Sequence, residues 1–293
     1  MSLIGTLTSG VSAMESFEQG LSVIGNNIAN VNTTAFKSGS TDYSNSFSNV
    51  LQESSAAPGT GSGAYQSTVE VGTGVSVSAV TTNFAQGSLS PTSVPTDLAV
   101  SGSGFFIVKD PSDGAEYATR AGNFSFDSNG YLVTSQGYRV QGLTGGASGS
   151  APSTLGDVKL GTPPANTSLG SYVIDGSGNL TETYSNNATV TTNQILLQNF
   201  QSPGALTSIA GNLYANMAAA QPTSGSLTLS GASNTAGTLG LGTVQQGALE
   251  LSNVDLTNEF ANLITTQRSF EAGSRLITIS DTLLEDIVNL KTH

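Results

Sequence analysis

Two long stretches of this chain repeat their apolar residues at helical spacing, and the sequence between them does not. From Leu3 to Val31 the large apolar positions are Leu3, Leu7, Met14, Phe17, Leu21, Ile24, Ile28 and Val31, with Gly10 in the one remaining place. The intervals alternate between four and three, which makes an a/d coiled-coil seam rather than the broader face of a helix buried in one domain. A second seam closes the chain. Leu249, Leu256, Leu263, Phe270, Ile277 and Leu284 recur every seven residues, with Phe260 and Val288 at companion positions that are otherwise polar. Single helices with so narrow a stripe are marginal, so the pattern predicts that the two ends pair with each other and with copies of the chain. Ser252, Asn253 and Asp255 are candidates to cap the second helix, with Glu259 in an early turn.

Between the seams the period changes to two. "VSVSAV" (75–80), "DLAVSG" (97–102), "GFFIVKD" (104–110), "SYVIDGSGNLTETY" (171–184), "QILLQNF" (194–200) and "GSLTLSG" (225–231) read as short strands. "DSNG" and "DGSGN" sit between such runs as hairpin turns. The fold class expected is α+β: paired N- and C-terminal helices, with mainly antiparallel β domains between them. The expected division is a helical terminal domain from 1–50 and 244–293, and a flexible linker over 51–68. A first β domain takes 69–141 and 194–243, with a small inserted outer domain over 142–193, where Gly, Ser, Thr and Pro are densest.

Composition narrows the function classes. The net charge is −12, and the 8 basic residues are scattered, which excludes the clustered Lys/Arg that nucleic acid requires. No apolar run is long enough to span a bilayer, and no basic residue precedes Lys37 to start a secretory signal. There is no Cys, and His293 is the sole histidine, so nucleophilic and general-base chemistry lacks its usual groups. Asp110 and Asp113 in "DPSDG" read as turn formers rather than a catalytic pair. The two Asp/Gly turns lack the bidentate Glu of a calcium loop. No enzyme, cofactor or metal site is expected.

One segment remains odd. "NNIANVNTTAFKSG" (26–39) places Asn26, Asn27, Asn30 and Asn32 where the first helix should end. Short amides satisfy loose backbone groups and tolerate left-handed conformations, so they are expected to cap that end and to bond backbone in the turn beyond it.

Together these segments resemble a known family. "LSVIGNNIANVNTTAFKSG", including Phe36 and Lys37, is similar to the N-terminal signature of bacterial flagellar rod and hook axial proteins. The C-terminal stretch from Gly247, with Ser252, Asn253, Asp255, Gln267 and Arg268, resembles their C-terminal signature. "QGSLSPTSVPTDLAVSGSGFFIV" looks like part of their first β domain. The resemblance implies a structural subunit that polymerises into a tube, and within the family a short hook protein is favoured over a distal rod protein. A secreted β-rich adhesin or glycan binder is the alternative from another class. The partners implied are other copies, further axial and junction proteins and a type III export apparatus. The location implied is the flagellum, reached without a cleaved signal peptide. One departure is visible: the family usually has Gly where this chain has Ala35, and a position needing positive φ would strain Ala by about 1 kcal/mol.

Overall fold

The computed structural model describes residues 3–52, 68–145, 152–163, 167–224, 226–227, 229–231 and 233–291. The fold is α+β, as expected, and packing divides the chain into two units. The first comprises Met1–Ala29, Gly39–Thr82 and Asp255–His293, and the second Asn30–Ser38 and Asn83–Val254. The linker expected over 51–68 lies, apart from its two ends, outside the described residues.

In the first unit, helix α1 (Leu3–Ala29) and helix α2 (Leu256–Lys291) run antiparallel. Their register is fixed from end to end. Thr6 meets Ser280 through a hydroxyl pair at 3.1 Å, and Asn27 meets Glu259. Between these points a Cβ on Gly10 would lie 3.0 Å from Ile277 Cγ1, and one on Gly273 would lie 3.1 Å from Met14 Cγ. The gap in the first apolar stripe at Gly10 therefore faces Ile277 and Gly273 of the opposing helix at close range. Asp255 caps α2, its Oδ1 accepting from the Thr257 amide at 2.9 Å. Ser252 and Asn253, also expected near this cap, lie before it.

A two-stranded ribbon packs on α1. Gly39–Asn45 pairs with Val75–Thr82, and Ser48–Gln52 with Val69–Gly72, all antiparallel. Ser9 and Ser16 donate from α1 to the carbonyls of Thr73 and Val75. The Phe17 ring meets Tyr43 edge-on at 6.0 Å. A Cβ on Gly20 would sit 2.1 Å from the Tyr43 hydroxyl, so any larger residue there would displace the tyrosine ring tip.

The second unit is built on one antiparallel sheet, in the spatial order Leu169–Ile174, Asn179–Tyr184, Thr189–Ile195, Arg139–Thr144, Phe105–Lys109, Glu116–Thr119, Leu213–Ala215 and Thr207–Ile209. The strand Phe105–Lys109 shows why both faces are covered. Phe106 and Val108 enter one apolar cluster with Leu98, Leu132 and Leu180, while Phe105 and Ile107 enter another with Phe200 and Tyr214. Side chains alternate along a strand, so "FFIV" supplies two cores at once. Strands of residues 142–193 continue this same sheet. There Glu182 is fully buried, accepting from Tyr184, Thr192 and the Gly161 amide at 2.6–2.8 Å. Both Asp/Gly turns form, with Asp127 and Asp175 carboxylates bonded to backbone amides inside them. The strand expected over 225–231 does not form among its described residues, although Leu229 is buried.

Candidate functional site

The apolar stripes and the terminal motifs are the candidate sites, and each terminal motif contributes residues to both units. On α1, Leu7, Met14, Phe17, Leu21, Ile24 and Ile28 are half-buried, while the side chain of Leu3 lies outside the described residues. Val31 is half-buried in the turn after α1. On α2, Leu263, Phe270, Ile277 and Leu284 are half-buried on the side that meets α1. The rest of the expected C-terminal seam lies elsewhere. Leu249 is on the strand Ala248–Glu250, before the helix begins, and Leu256, Phe260 and Val288 are exposed. The motif residues Gln267 and Arg268 are exposed too, Arg268 pairing with Glu271 at 3.0 Å one turn on.

The four asparagines divide in role. Asn27 is buried near the end of α1. Its Nδ2 donates to the Gly39 carbonyl at 2.8 Å and to Glu259 Oε1 at 3.0 Å, and its Oδ1 accepts from the Gly39 amide at 2.9 Å. One amide thus fastens α1 to the start of the ribbon and to the first turns of α2. Asn30 builds the turn instead: its carbonyl accepts the Thr33 amide and its Oδ1 the Thr33 hydroxyl, both at 3.0 Å. Asn26 and Asn32 are exposed.

In the second unit the remainder of the N-terminal motif meets the C-terminal motif. Ala35 is fully buried at φ +57°, and its amide donates to the Glu250 carbonyl at 2.8 Å. The position does require positive φ, and alanine occupies it. Asn253 accepts from the Ser38 amide and donates to the carbonyls of Asn83 and Ala85. Its own amide donates to the Phe36 carbonyl.

Beside them sits a buried charge cluster. Glu250 accepts from Lys37 Nζ at 2.7 Å, the Gly87 amide at 2.9 Å and Arg120 at 3.4 Å. Lys37 also donates to the Ala85 carbonyl at 2.8 Å. Burial pushes the Lys37 ammonium below its ordinary range, against the pull of Glu250. It lowers Arg120 as well, whose guanidinium lies over the Phe105 ring. Burial, with the Glu250 charge adding to it, pushes the neighbouring Tyr214 phenol up to about 12. Glu250 and Arg120 were not singled out in the sequence. The available signal was parity: on a strand, an acid between Leu249 and Leu251 points opposite to both leucines.

These motifs are shared with known proteins. A family described as flagellar basal body rod FlgEFG protein C-terminal matches residues 245–290. One described as flagellar hook protein FlgE/F/G D1 domain matches 99–182, and one described as flagella basal body rod protein matches 7–37. The flagellar basal-body rod protein FlgG of Bacillus subtilis is 36% identical, the alignment covering 99% of this chain and 100% of the relative. The chain belongs to the flagellar rod and hook axial protein family. Another member, the rod protein FlgG of Caulobacter vibrioides, is 32% identical across the whole of both chains. The flagellar hook protein FlgE of Helicobacter mustelae is 44% identical, but over 48% of this axial protein and 31% of its own length. The family is structural rather than enzymatic. Similarity over the full length favours the rod, which the sequence reading had placed second to the hook.

Proposed function

We infer that this axial protein is a subunit of the distal flagellar rod, a tube built by head-to-tail addition of identical copies. The observation that carries the reading is end-to-end similarity to rod proteins, where the hook relative aligns with only about half of the chain. The helix pair supports it physically. With α1 satisfied by α2 inside one subunit, α2 still exposes Phe260, Ile264, Leu276 and Leu283, and exposed apolar residues grouped on one element mark a contact surface. Heterologous contacts that do not close generate helical filaments. Other axial and junction proteins would meet the two ends of the tube, and a type III apparatus would deliver the subunits.

Electron microscopy of the concentrated protein tests the reading. The full chain should form tubes, and deletion of residues 1–29 or 255–293 should leave a soluble β unit that forms none. The second deletion starts at Asp255 so that Glu250 and Asn253 stay in place. In cells, a tagged copy should mark a short periplasmic shaft; a long curved extracellular tube would restore the hook reading.

A further inference from the structure

Helix α2 carries more apolar surface than its partner helix can cover, and the surplus is patterned. Leu276, Ile279, Leu283, Ile287 and Leu290 are exposed, at 54%, 50%, 48%, 50% and 79%. Their intervals of three and four form a stripe of their own. Leu276 and Ile277 are adjacent in sequence, so they point roughly 100° apart around the helix, and only Ile277 faces α1. Nearer the start of α2, on another side, Phe260 and Ile264 are exposed at 50% and 58%. Among the described side chains the outward face of α1 offers no match: Thr8, Glu15, Glu18, Ser22 and Asn26 are exposed there beside Val11.

We propose that the stripe from Leu276 to Leu290 is the trans seam of the polymer, and that it docks on the Phe260–Ile264 patch of a second copy. The proposal rests on the rod reading and says which surfaces meet. Three observations select this occupant. Pairing the stripe with itself would close a dimer and leave Phe260 and Ile264 in water, whereas the head-to-tail pairing covers these two with the middle of the stripe and stays open. With the helices parallel and Leu283 against Ile264, Ile279 falls against Phe260, so two large apolar pairs form in one register. In that register Asp286 of one copy comes level with Gln267 of the next, one residue from exposed Arg268, which sets opposite charges near the rim of the seam. Successive copies are then offset by roughly 28 Å along the axis at 1.5 Å rise per residue.

The chain has no cysteine, so introduced thiols are the only ones. Ile264→Cys, Leu283→Cys and the double variant are assembled, treated with a short bis-maleimide and resolved on denaturing gels. Both side chains are exposed, so the subunit fold is retained. The double variant should give a ladder of linked oligomers, an equal mixture of the two single variants should give dimers, and neither single variant alone should link. Dimers from Leu283→Cys alone would overturn the proposal in favour of a self-paired stripe. Tubes that form normally but link in no combination would overturn it outright. Failure of the parent chain to polymerise is a separate outcome that removes the rod reading and this proposal with it.

Discussion

Asn27 offers the sharpest test of how the terminal motif works. Replacing it with alanine removes three hydrogen bonds, two to the Gly39 backbone and one to the Glu259 carboxylate. Neutral bonds contribute about 1 kcal/mol each and a bond to a charged group about 1.5–3 kcal/mol. Alanine is the better helix former, which offsets about 0.5 kcal/mol. The net loss expected is about 3–4.5 kcal/mol, against a total domain stability of about 5–15 kcal/mol. Urea unfolding followed by far-UV ellipticity reads this on the helix pair. Asn32→Ala is the control: it is exposed, and should move the midpoint by less than about 0.5 kcal/mol. Asn27→Asp separates geometry from charge, since it keeps the acceptor for the Gly39 amide but sets a second carboxylate against Glu259. It should fare no better than alanine. An Asn27→Ala variant within about 0.5 kcal/mol of the parent would refute the idea that this amide holds the helix pair to the ribbon.

Two further outcomes follow from the second unit. Ala35→Gly relieves the left-handed backbone at φ +57° and should raise stability by up to about 1 kcal/mol; a lower thermal midpoint would show that the buried methyl matters more than the strain. Burial holds the Lys37 ammonium below 10.5, so between its lowered value and 10.5 the unfolded chain binds more protons than the folded one. Over that window the parent should gain stability with rising pH relative to Lys37→Met, by up to about 1.4 kcal/mol per pH unit. A relative loss, as for an exposed ion pair dissolving in alkali, would contradict the burial argument.

Much of this was legible in the sequence because helical periodicity survives without knowledge of the partner. The heptads located both helices but did not show that the gap at Gly10 is a point of close approach. The same stripes account for pairing within the subunit, since Leu263, Phe270, Ile277 and Leu284 turn towards α1, but the pattern did not single out the exposed apolar residues one position out of phase. Asn27 was flagged by type, but its partners lie 12 and 232 residues away, beyond any local pattern. Glu250 was missed because the leucines beside it look like core, yet strand alternation points the acid inward. The weakly apolar 142–193 segment read as a separate domain, because its pairing with the neighbouring strands runs through backbone, which composition does not report.

The Lys37–Glu250 pair joins positions 213 residues apart, and that separation has a consequence in time. At 5–20 residues per second, a ribosome needs roughly 10–40 s to traverse the interval, and the closure entropy of so long a loop delays the contact further. Until then the buried cation has no counter-charge and the first unit lacks its second helix. Neither packed unit can therefore close until synthesis has passed Glu250, so most of the polypeptide is made before its charges and helices are paired.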